Sequence, residues 1–439
     1  MRLSVLSLFL SAAITFASVA APAQAVSLIR DADIEHSLDQ LAAPILRAAG
    51  LNPNNVRILV VDDSGMNAFV INGRAIFIHS GLMQRVDSAA QLQSIIAHEA
   101  AHIANGHISR RLTNLRGANT AAGFGIALAM AVAIASDSGA AAGGIAAGAA
   151  GAAQRQFFAH TRAEESAADQ SSVRFMLRAG VEPTSATEVL ELFRGQEALS
   201  VSRQDPYART HPLTSDRIRA LRGLIAANPG SAAPNPTADF WFARAQGKLS
   251  AFTQNPGWTL RRVQNDDSPV GRMRAAVAYH RQADADRAIQ TMQSLLAQYP
   301  DDAYWYELFG QILLESRQAG PAVQAYQNAV GLNGNEPLIL AGYGRALLAL
   351  DTADSNARAV TTLERARALD AQSSATLRDL GQAYARTNQP GLASLATAER
   401  YALQGRMDDA VVHATRASDR LARGSAPWQR AQDVLSAVQ

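Results

Sequence analysis

The chain has 439 residues, a formal net charge of +2 and no cysteine. Without cysteine, neither a disulfide nor a zinc–thiolate site can form. A net charge this close to zero gives no indication of a nucleic-acid partner. The length suffices for two domains, and the abundance of alanine with few aromatic residues favours a mostly helical protein.

Residues 1–25 are predicted to be a secretory signal peptide. Met1 and Arg2 supply a positive start, residues 3–20 are apolar and small, and Ala23-Gln24-Ala25 is a small-x-small cleavage signal. A transmembrane anchor is the alternative, but no basic stop-transfer flank follows. Because lipid anchoring needs a cysteine after the signal, we expect an unanchored mature chain in a bacterial periplasm.

A helix from Asp31 to Ala49 and a small β-sheet are predicted next. Val56–Val61 is typical of a buried strand, and two apolar runs, 67–71 and 74–78, flank Asn72-Gly73. An Asn-Gly dipeptide between apolar runs is a strong hairpin signal. An edge of this sheet could accept an extended substrate as an added strand.

The most informative motif is His98-Glu99-Ala100-Ala101-His102. Ser88 and Gln91 predict a capping box at the start of the helix that carries it. Histidines at i and i+4 lie on one helix face, so both imidazoles can reach one zinc ion. Glu99 can then accept a proton from a zinc-bound water. The alternative is a helix with two surface histidines.

Catalytic zinc needs a third protein ligand and an open position for water. Four downstream residues are candidates: His107, His160, Glu164 and Glu165. His107 lies five residues after His102, so a continuing helix would turn it away from the pair. His160 is plausible but isolated.

The run Glu165-Ser166-Ala167-Ala168-Asp169 resembles the Glu-x-x-Ala-Asp signature of the peptidase family that contains the membrane heat-shock and CAAX prenyl endopeptidases. These enzymes are gluzincins, with two histidines and one glutamate on zinc. The resemblance implies that Glu165 is the third ligand. It also implies that Asp169 accepts a hydrogen bond from a ligating imidazole. Thr161 stands where the family often has serine.

Residues 210–218 resemble the His-Pro segment of the same family. The resemblance places His211 near the zinc, where it could stabilise the oxyanion of the reaction. A loop histidine beside an open zinc position could instead occupy the water site and hold the enzyme latent. Both roles, and a plain helix-capping role, stay open at this point.

Residues 120–154 are almost uncharged and rich in alanine and glycine. They could span a membrane, but their weak hydrophobicity favours a mobile or surface-lying helical segment that makes peripheral membrane contact.

The second half of the chain contains degenerate repeats. Residues 228–237 are rich in proline and asparagine and are predicted to link a metallopeptidase domain (26–227) to a repeat domain (238–439). Gly310 and Gly344 lie one 34-residue period apart, and Ala276 lies one period before Gly310. This is the tetratricopeptide pattern, which predicts an α-solenoid. A non-repeating helical domain is the alternative.

The whole arrangement is similar to a periplasmic subgroup of the family, in which tetratricopeptide repeats follow the gluzincin domain. The resemblance implies a zinc endopeptidase that degrades misfolded or unassembled outer-membrane and other envelope proteins. The repeats would bind substrate or the outer-membrane assembly machinery. The alternative function is a chaperone or adaptor of outer-membrane protein assembly whose main output is binding.

Overall fold

The computed structural model describes residues 27–71, 73–110, 161–199, 203–211, 215–230 and 233–437. Within these ranges the protein is mostly helical, with one small sheet near its N-terminus, and the predicted fold class is confirmed. None of the described helices is both long and apolar enough to cross a membrane. The predicted signal peptide and the 120–154 segment lie outside the described residues.

The sheet has the strand order β1-β2-β4-β3, so β3 lies at an edge. Strands β2 and β4 are parallel, whereas β1 pairs antiparallel with β2 and β3 pairs antiparallel with β4. The β3–β4 pair confirms the predicted hairpin, although Asn72 in its turn lies outside the described residues. Strand β1 was not predicted from the sequence. The strands are β1 (Leu28–Ile29), β2 (Arg57–Val61), β3 (Ala68–Val70) and β4 (Ala75–His79).

Seven helices with fully described bounds accompany the sheet in this N-terminal unit, and residues 107–110 are also helical. The central helix α3 packs against α1, α4 and α5 and contacts β3. Ser88 caps α3 as predicted, but Gln91 accepts from the backbone of Asp87, so the capping box is incomplete. The helices are α1 (Ala32–Ala48), α2 (Ser80–Arg85), α3 (Ala89–Ala104), α4 (Arg162–Ala179), α5 (Thr184–Glu191), α6 (Pro206–Thr210) and α7 (Ser215–Ala227).

The C-terminal part is a series of helices in which each helix packs against the next. Small residues lie where helices touch: the ring of Tyr326 packs against Gly310 and Gly342, where an added Cβ would come within 2.6 Å and 2.4 Å of it. The helices are α8 (Pro236–Thr253), α9 (Pro256–Val263), α10 (Pro269–Arg281), α11 (Ala285–Gln298), α12 (Ala303–Glu315), α13 (Ala319–Leu332), α14 (Pro337–Leu350), α15 (Ala353–Leu369), α16 (Ser374–Arg386), α17 (Pro390–Leu403), α18 (Met407–Ser418) and α19 (Ala426–Ser436).

Helix α8 joins the two parts of the molecule. Asn235 caps it, at the end of the predicted linker. On one side α8 packs against α1, α2 and α3, and on the other it packs against α10. Phe242 and Leu249 belong to the same apolar core as Leu38 of α1. The first helix after the linker is therefore part of the N-terminal core, while the predicted domain limits at 227 and 238 stay predictions.

A buried ion cluster surrounds α8. The ammonium of Lys248, the only lysine of the chain, is fully buried and lies 2.9 Å from Asp31 and 3.6 Å from Glu307. Arg244 donates to Asp33 at 2.5 Å. Its guanidinium carbon lies 4.5 Å from the ring centroid of Trp305. Because these residues come from the start of α1, from α8 and from α12, the cluster ties the N-terminal unit to the repeats.

Three acidic residues at 34-residue intervals extend this interface: Asp302, Glu336 and Asp370. We call them the acidic ladder. Asp302 caps α12 and accepts two hydrogen bonds from Arg244, at 2.6 and 2.8 Å. Asp370 accepts a hydrogen bond at 2.9 Å from Arg30, the residue that directly follows β1. The repeat period therefore places the first and last of these carboxylates opposite cations of the N-terminal unit.

The middle carboxylate of the ladder predicts a pH-dependent stability. Burial and the nearby carboxylate of Glu35 raise the pKa of Glu336 to about 7 from an ordinary value of 4.5. The folded state then binds this proton more tightly than the unfolded chain, so stability falls as the pH rises from 4.5 through 7. We expect Glu336→Gln to raise the thermal midpoint clearly at pH 8 and much less at pH 5. An equal shift at both pH values, with the exposed Glu188→Gln as control, would refute this.

Candidate metal centre

Helix α3 places its three motif residues at one buried site. The Nε2 atoms of His98 and His102 lie 3.1 Å apart, as expected for side chains one turn apart on one face. Glu99 is fully buried beside them. The alternative of two surface histidines is wrong, since the two are only 6% and 0% exposed.

Helix α4 supplies the carboxylate that faces this pair. Thr161 and Glu164 form a capping box, which engages the Glu164 side chain at the exposed start of the helix. Glu165 lies one position further and turns inward. Its Oε2 and Oε1 atoms lie 3.4 Å from Nε2 of His98 and of His102, respectively. The capping box therefore uses the side chain of Glu164 at the helix start. The side chain of Glu165 is fully buried and lies beside the two histidines.

Asp169 lies one turn after Glu165 on α4. Its Oδ1 atom is 3.2 Å from Nδ1 of His98, the ring nitrogen that faces away from the other donors. This is the contact that the family resemblance implies. A hydrogen bond here would hold the imidazole in one orientation and fix its tautomer.

His211 enters the same cluster from the end of α6. It is fully buried, and its ring stacks on Tyr207 at a centroid distance of 4.5 Å. Its Nδ1 atom lies 3.0 Å from Glu165 Oε1 and 3.3 Å from His98 Nε2. His211 is thus in direct contact with the other donors in this structure.

Arg217 is a residue of the site that the sequence reasoning missed. Its guanidinium donates twice to Asp169, at 2.7 and 2.8 Å, and lies 2.6 Å from Oε2 of Glu165. The one sequence feature that could have indicated Arg217 is its position in the His-Pro segment, on the helix that follows His211. Arg217 connects that segment to the two carboxylates of α4.

His107 corrects one sequence-based expectation. The prediction that a continuing helix turns it away from the pair is wrong, because α3 ends at Ala104 and Gly106 adopts a left-handed conformation with φ of +69°. The turn brings Nδ1 of His107 to 2.9 Å from Nδ1 of His102. The other histidine candidate, His160, lies outside the described residues.

The two glutamates have opposite electrostatic environments. Burial raises the pKa of Glu99, and neither of its oxygens has a hydrogen-bond partner among the described residues. Burial also acts to raise the pKa of Glu165, but His211 and Arg217 outweigh it and hold that pKa well below the usual range. Glu99 therefore holds a proton more readily than a free glutamate, and Glu165 holds one less readily.

The donor chemistry suits a metal ion. His98, His102, Glu165 and His211 each offer one ligand atom, and these atoms all lie within 4.8 Å of one another. Two imidazoles and a carboxylate are a known ligand set for catalytic zinc. The carboxylate of Glu99 beside this set accepts no hydrogen bond from the described residues and lies 3.5 Å from Nε2 of His211. It fits a base that acts on a water at the remaining position.

Comparison with known proteins agrees with this geometry. Residues 29–225 match the model of Peptidase family M48. Over 406 residues the chain is 26% identical to the beta-barrel assembly-enhancing protease of Escherichia coli K12, an alignment that spans 91% of this chain and 81% of that protein. The protein of the same name from Yersinia pestis is 24% identical over 66% of this chain and 60% of its own length.

Solved structures also resemble part of the chain. A structure titled MamA covers 38% of this chain and 96% of its own, with 16% identity and a TM-score of 0.32. A structure of a thermophilic TPR protein from Thermus thermophilus covers 38% of this chain and 100% of its own, with 16% identity and a TM-score of 0.26.

The buried histidine and glutamate group lies within the residues that match the Peptidase family M48 model, and it is the candidate metal centre of this chain. The residues that the sequence singled out, His98, Glu99, His102, Glu165 and His211, meet there. Their individual roles stay predictions.

Asp169→Asn is expected to weaken metal binding by roughly ten- to a hundredfold, because His98 loses a carboxylate acceptor. Competition with a chelator measures this directly. Asp216→Asn is the matched control, since the Asp216 side chain is 86% exposed on α7. Unchanged metal retention in Asp169→Asn would show that the contact between Asp169 and His98 does not support the metal site.

Proposed function

We propose that this chain is a zinc-dependent endopeptidase of the periplasm that degrades misfolded or unassembled outer-membrane proteins. The observation that carries the proposal is the fully buried carboxylate of Glu99 beside the His98, His102 and Glu165 donors. This carboxylate accepts no hydrogen bond from the described residues, and its Oε1 lies 3.5 Å from Nε2 of His211. The names of the curated relatives support an outer-membrane role. The predicted signal peptide supports the periplasmic location.

His98, His102 and Glu165 would hold one zinc ion. When bound, zinc polarises the scissile carbonyl and lowers the pKa of a coordinated water. Glu99 accepts the proton of the attacking water and delivers it to the leaving amine. Arg217 and Asp169 hold the carboxylate and imidazole in place from behind, through the hydrogen bonds described above.

An extended substrate would add to the edge strand β3. In this structure Nε2 of His211 lies 3.2 Å from the backbone oxygen of Ala68, in that strand. A substrate that pairs at Ala68 would compete with His211 for this carbonyl oxygen. Binding by strand addition depends on the substrate backbone more than on its side chains. This favours unfolded chains over a tight sequence motif.

We also propose that the position of His211 in this structure is a latched resting state. Its Nδ1 faces Glu165 and His98, where it would compete with a water for the metal, and its Nε2 faces β3. Once displaced, the same imidazole can donate to the oxyanion. A broad-specificity protease in a compartment that unfolded envelope proteins cross needs such a restraint.

The substitution His211→Ala distinguishes the two roles, because they predict opposite changes in basal cleavage and different rates of zinc removal. The latch predicts several-fold faster removal of zinc by a small chelator, together with unchanged or higher basal cleavage of casein. A purely catalytic role predicts lower cleavage and unchanged chelator access. That second result would refute the latch while leaving the peptidase assignment intact.

The repeats are proposed to bind substrates or the outer-membrane assembly machinery. Their packed helix pairs offer an extended surface for proteins. If binding were the main output, Glu99→Gln would keep function in cells, and only deletion of the repeats would remove it. We expect the reverse for Glu99→Gln, since the chain holds a complete candidate catalytic group.

A further inference from the structure

Each of the two proposed histidine ligands has a second ring nitrogen that faces away from the metal position. For His98 this nitrogen, Nδ1, lies 3.2 Å from the carboxylate of Asp169. For His102 the corresponding Nδ1 lies 2.9 Å from Nδ1 of His107. The rings of His102 and His107 meet edge to face, with centroids 5.0 Å apart. One ligand is therefore backed by a carboxylate and the other by an imidazole.

The chemistry of a neutral imidazole determines the direction of the second contact. An imidazole that gives its Nε2 lone pair to a metal carries its proton on Nδ1. Nδ1 of His102 must then be a donor. A nitrogen at 2.9 Å can satisfy that donor only through its own lone pair, so Nδ1 of His107 must be unprotonated.

We propose that His107 is a positioning residue of the metal centre: a neutral imidazole, protonated on Nε2, that accepts the Nδ1–H bond of His102. This rests on the proposed zinc site. His107 fixes the tautomer and ring orientation of His102 so that its Nε2 lone pair points at the metal. Such partners of ligating imidazoles typically contribute a factor of about 10–100 to metal affinity.

The local backbone is built to deliver His107 to this place. Gly106, in the left-handed conformation, ends the helical path of α3 and turns the chain back. Asn105 holds this turn against α4, since it donates to the backbone oxygen of Ala167 and accepts from Ser171. The His107 side chain is only 2% exposed. The turn, its hydrogen bonds to α4 and the burial of the ring therefore fix the position of His107.

Two substitutions at this position separate hydrogen bonding from packing. The asparagine of His107→Asn would place its Oδ1 close to where Nδ1 of the histidine lies, so this variant retains an acceptor. His107→Leu fills space but accepts no hydrogen bond. Chelator competition is expected to give a zinc dissociation constant about 10–100-fold higher for His107→Leu, with most of this loss recovered in His107→Asn. His280→Ala is the control, since His280 pairs with Glu315 in the repeats.

Two further readouts keep the test independent of folding and of activity. The thermal midpoint of each metal-free variant reports whether the fold is intact. Proton–nitrogen correlation spectra of the zinc-loaded wild type are expected to show Nδ1 of His107 unprotonated and Nδ1 of His102 protonated. A protonated Nδ1 on His107 would overturn the proposal, as would a His107→Leu variant that binds zinc as tightly as the wild type. If the wild type itself bound no zinc, the site proposal would fail instead.

Discussion

Glu99→Gln is expected to reduce cleavage of an unfolded protein by about 10²–10⁴-fold, the usual contribution of a general base. Glutamine has nearly the same shape but cannot take up a proton. Both Glu99 oxygens lack hydrogen-bond partners among the described residues, so the amide breaks no existing hydrogen bond there. Cleavage of casein by the purified mature chain, measured at equal zinc loading, tests the expectation.

Zinc content should stay unchanged in this variant, because a base is removed and not a ligand. Glu188→Gln, at an exposed position of α5, controls for the loss of one negative charge. If Glu99→Gln cleaved at the wild-type rate while retaining its metal, Glu99 would not be the base.

Arg244→Met is expected to destabilise the protein by about 3–5 kcal/mol, the usual effect of removing one partner from a buried ion pair. Arg244 is 1% exposed and donates to Asp33, itself fully buried, and to Asp302. Without the guanidinium, the charge of Asp33 loses its nearest partner. Because Arg244 lies over Trp305, urea unfolding followed by tryptophan fluorescence reports on this interface.

A double variant tests whether the loss comes from the unpaired charge. Adding Asp33→Leu to Arg244→Met removes that charge, so much of the lost stability should return. Arg219→Met, at a position 77% exposed, serves as the control and should leave the unfolding midpoint unchanged. An Arg244→Met protein as stable as the wild type would show that the ion cluster does not hold the repeats to the N-terminal unit.

The features that were predicted correctly are those that follow from residue types at a fixed spacing in the sequence. The hairpin follows from the Asn-Gly dipeptide, and the proximity of His98 and His102 follows from their i,i+4 spacing. The helical repeats follow from a 34-residue period. Glu165 was reached through its family signature, and no local rule would have selected it over Glu164. The capping box that engages Glu164 explains the choice afterwards.

The features that were missed depend on a single backbone residue or on distant pairing. The orientation of His107 depends on Gly106, whose positive φ ends a helix that periodicity alone would extend. The acidic ladder pairs residues far apart in the chain: Arg244 and Asp302 are 58 residues apart, and Arg30 and Asp370 are 340 apart. No pattern in either segment indicates its partner.

The central claim is that His98, His102 and Glu165 hold one catalytic zinc ion. Elemental analysis of the purified mature chain tests it most directly. We expect about one zinc per chain in the wild type and in Glu99→Gln, and close to none in His102→Ala. A full complement of zinc in His102→Ala would contradict the account.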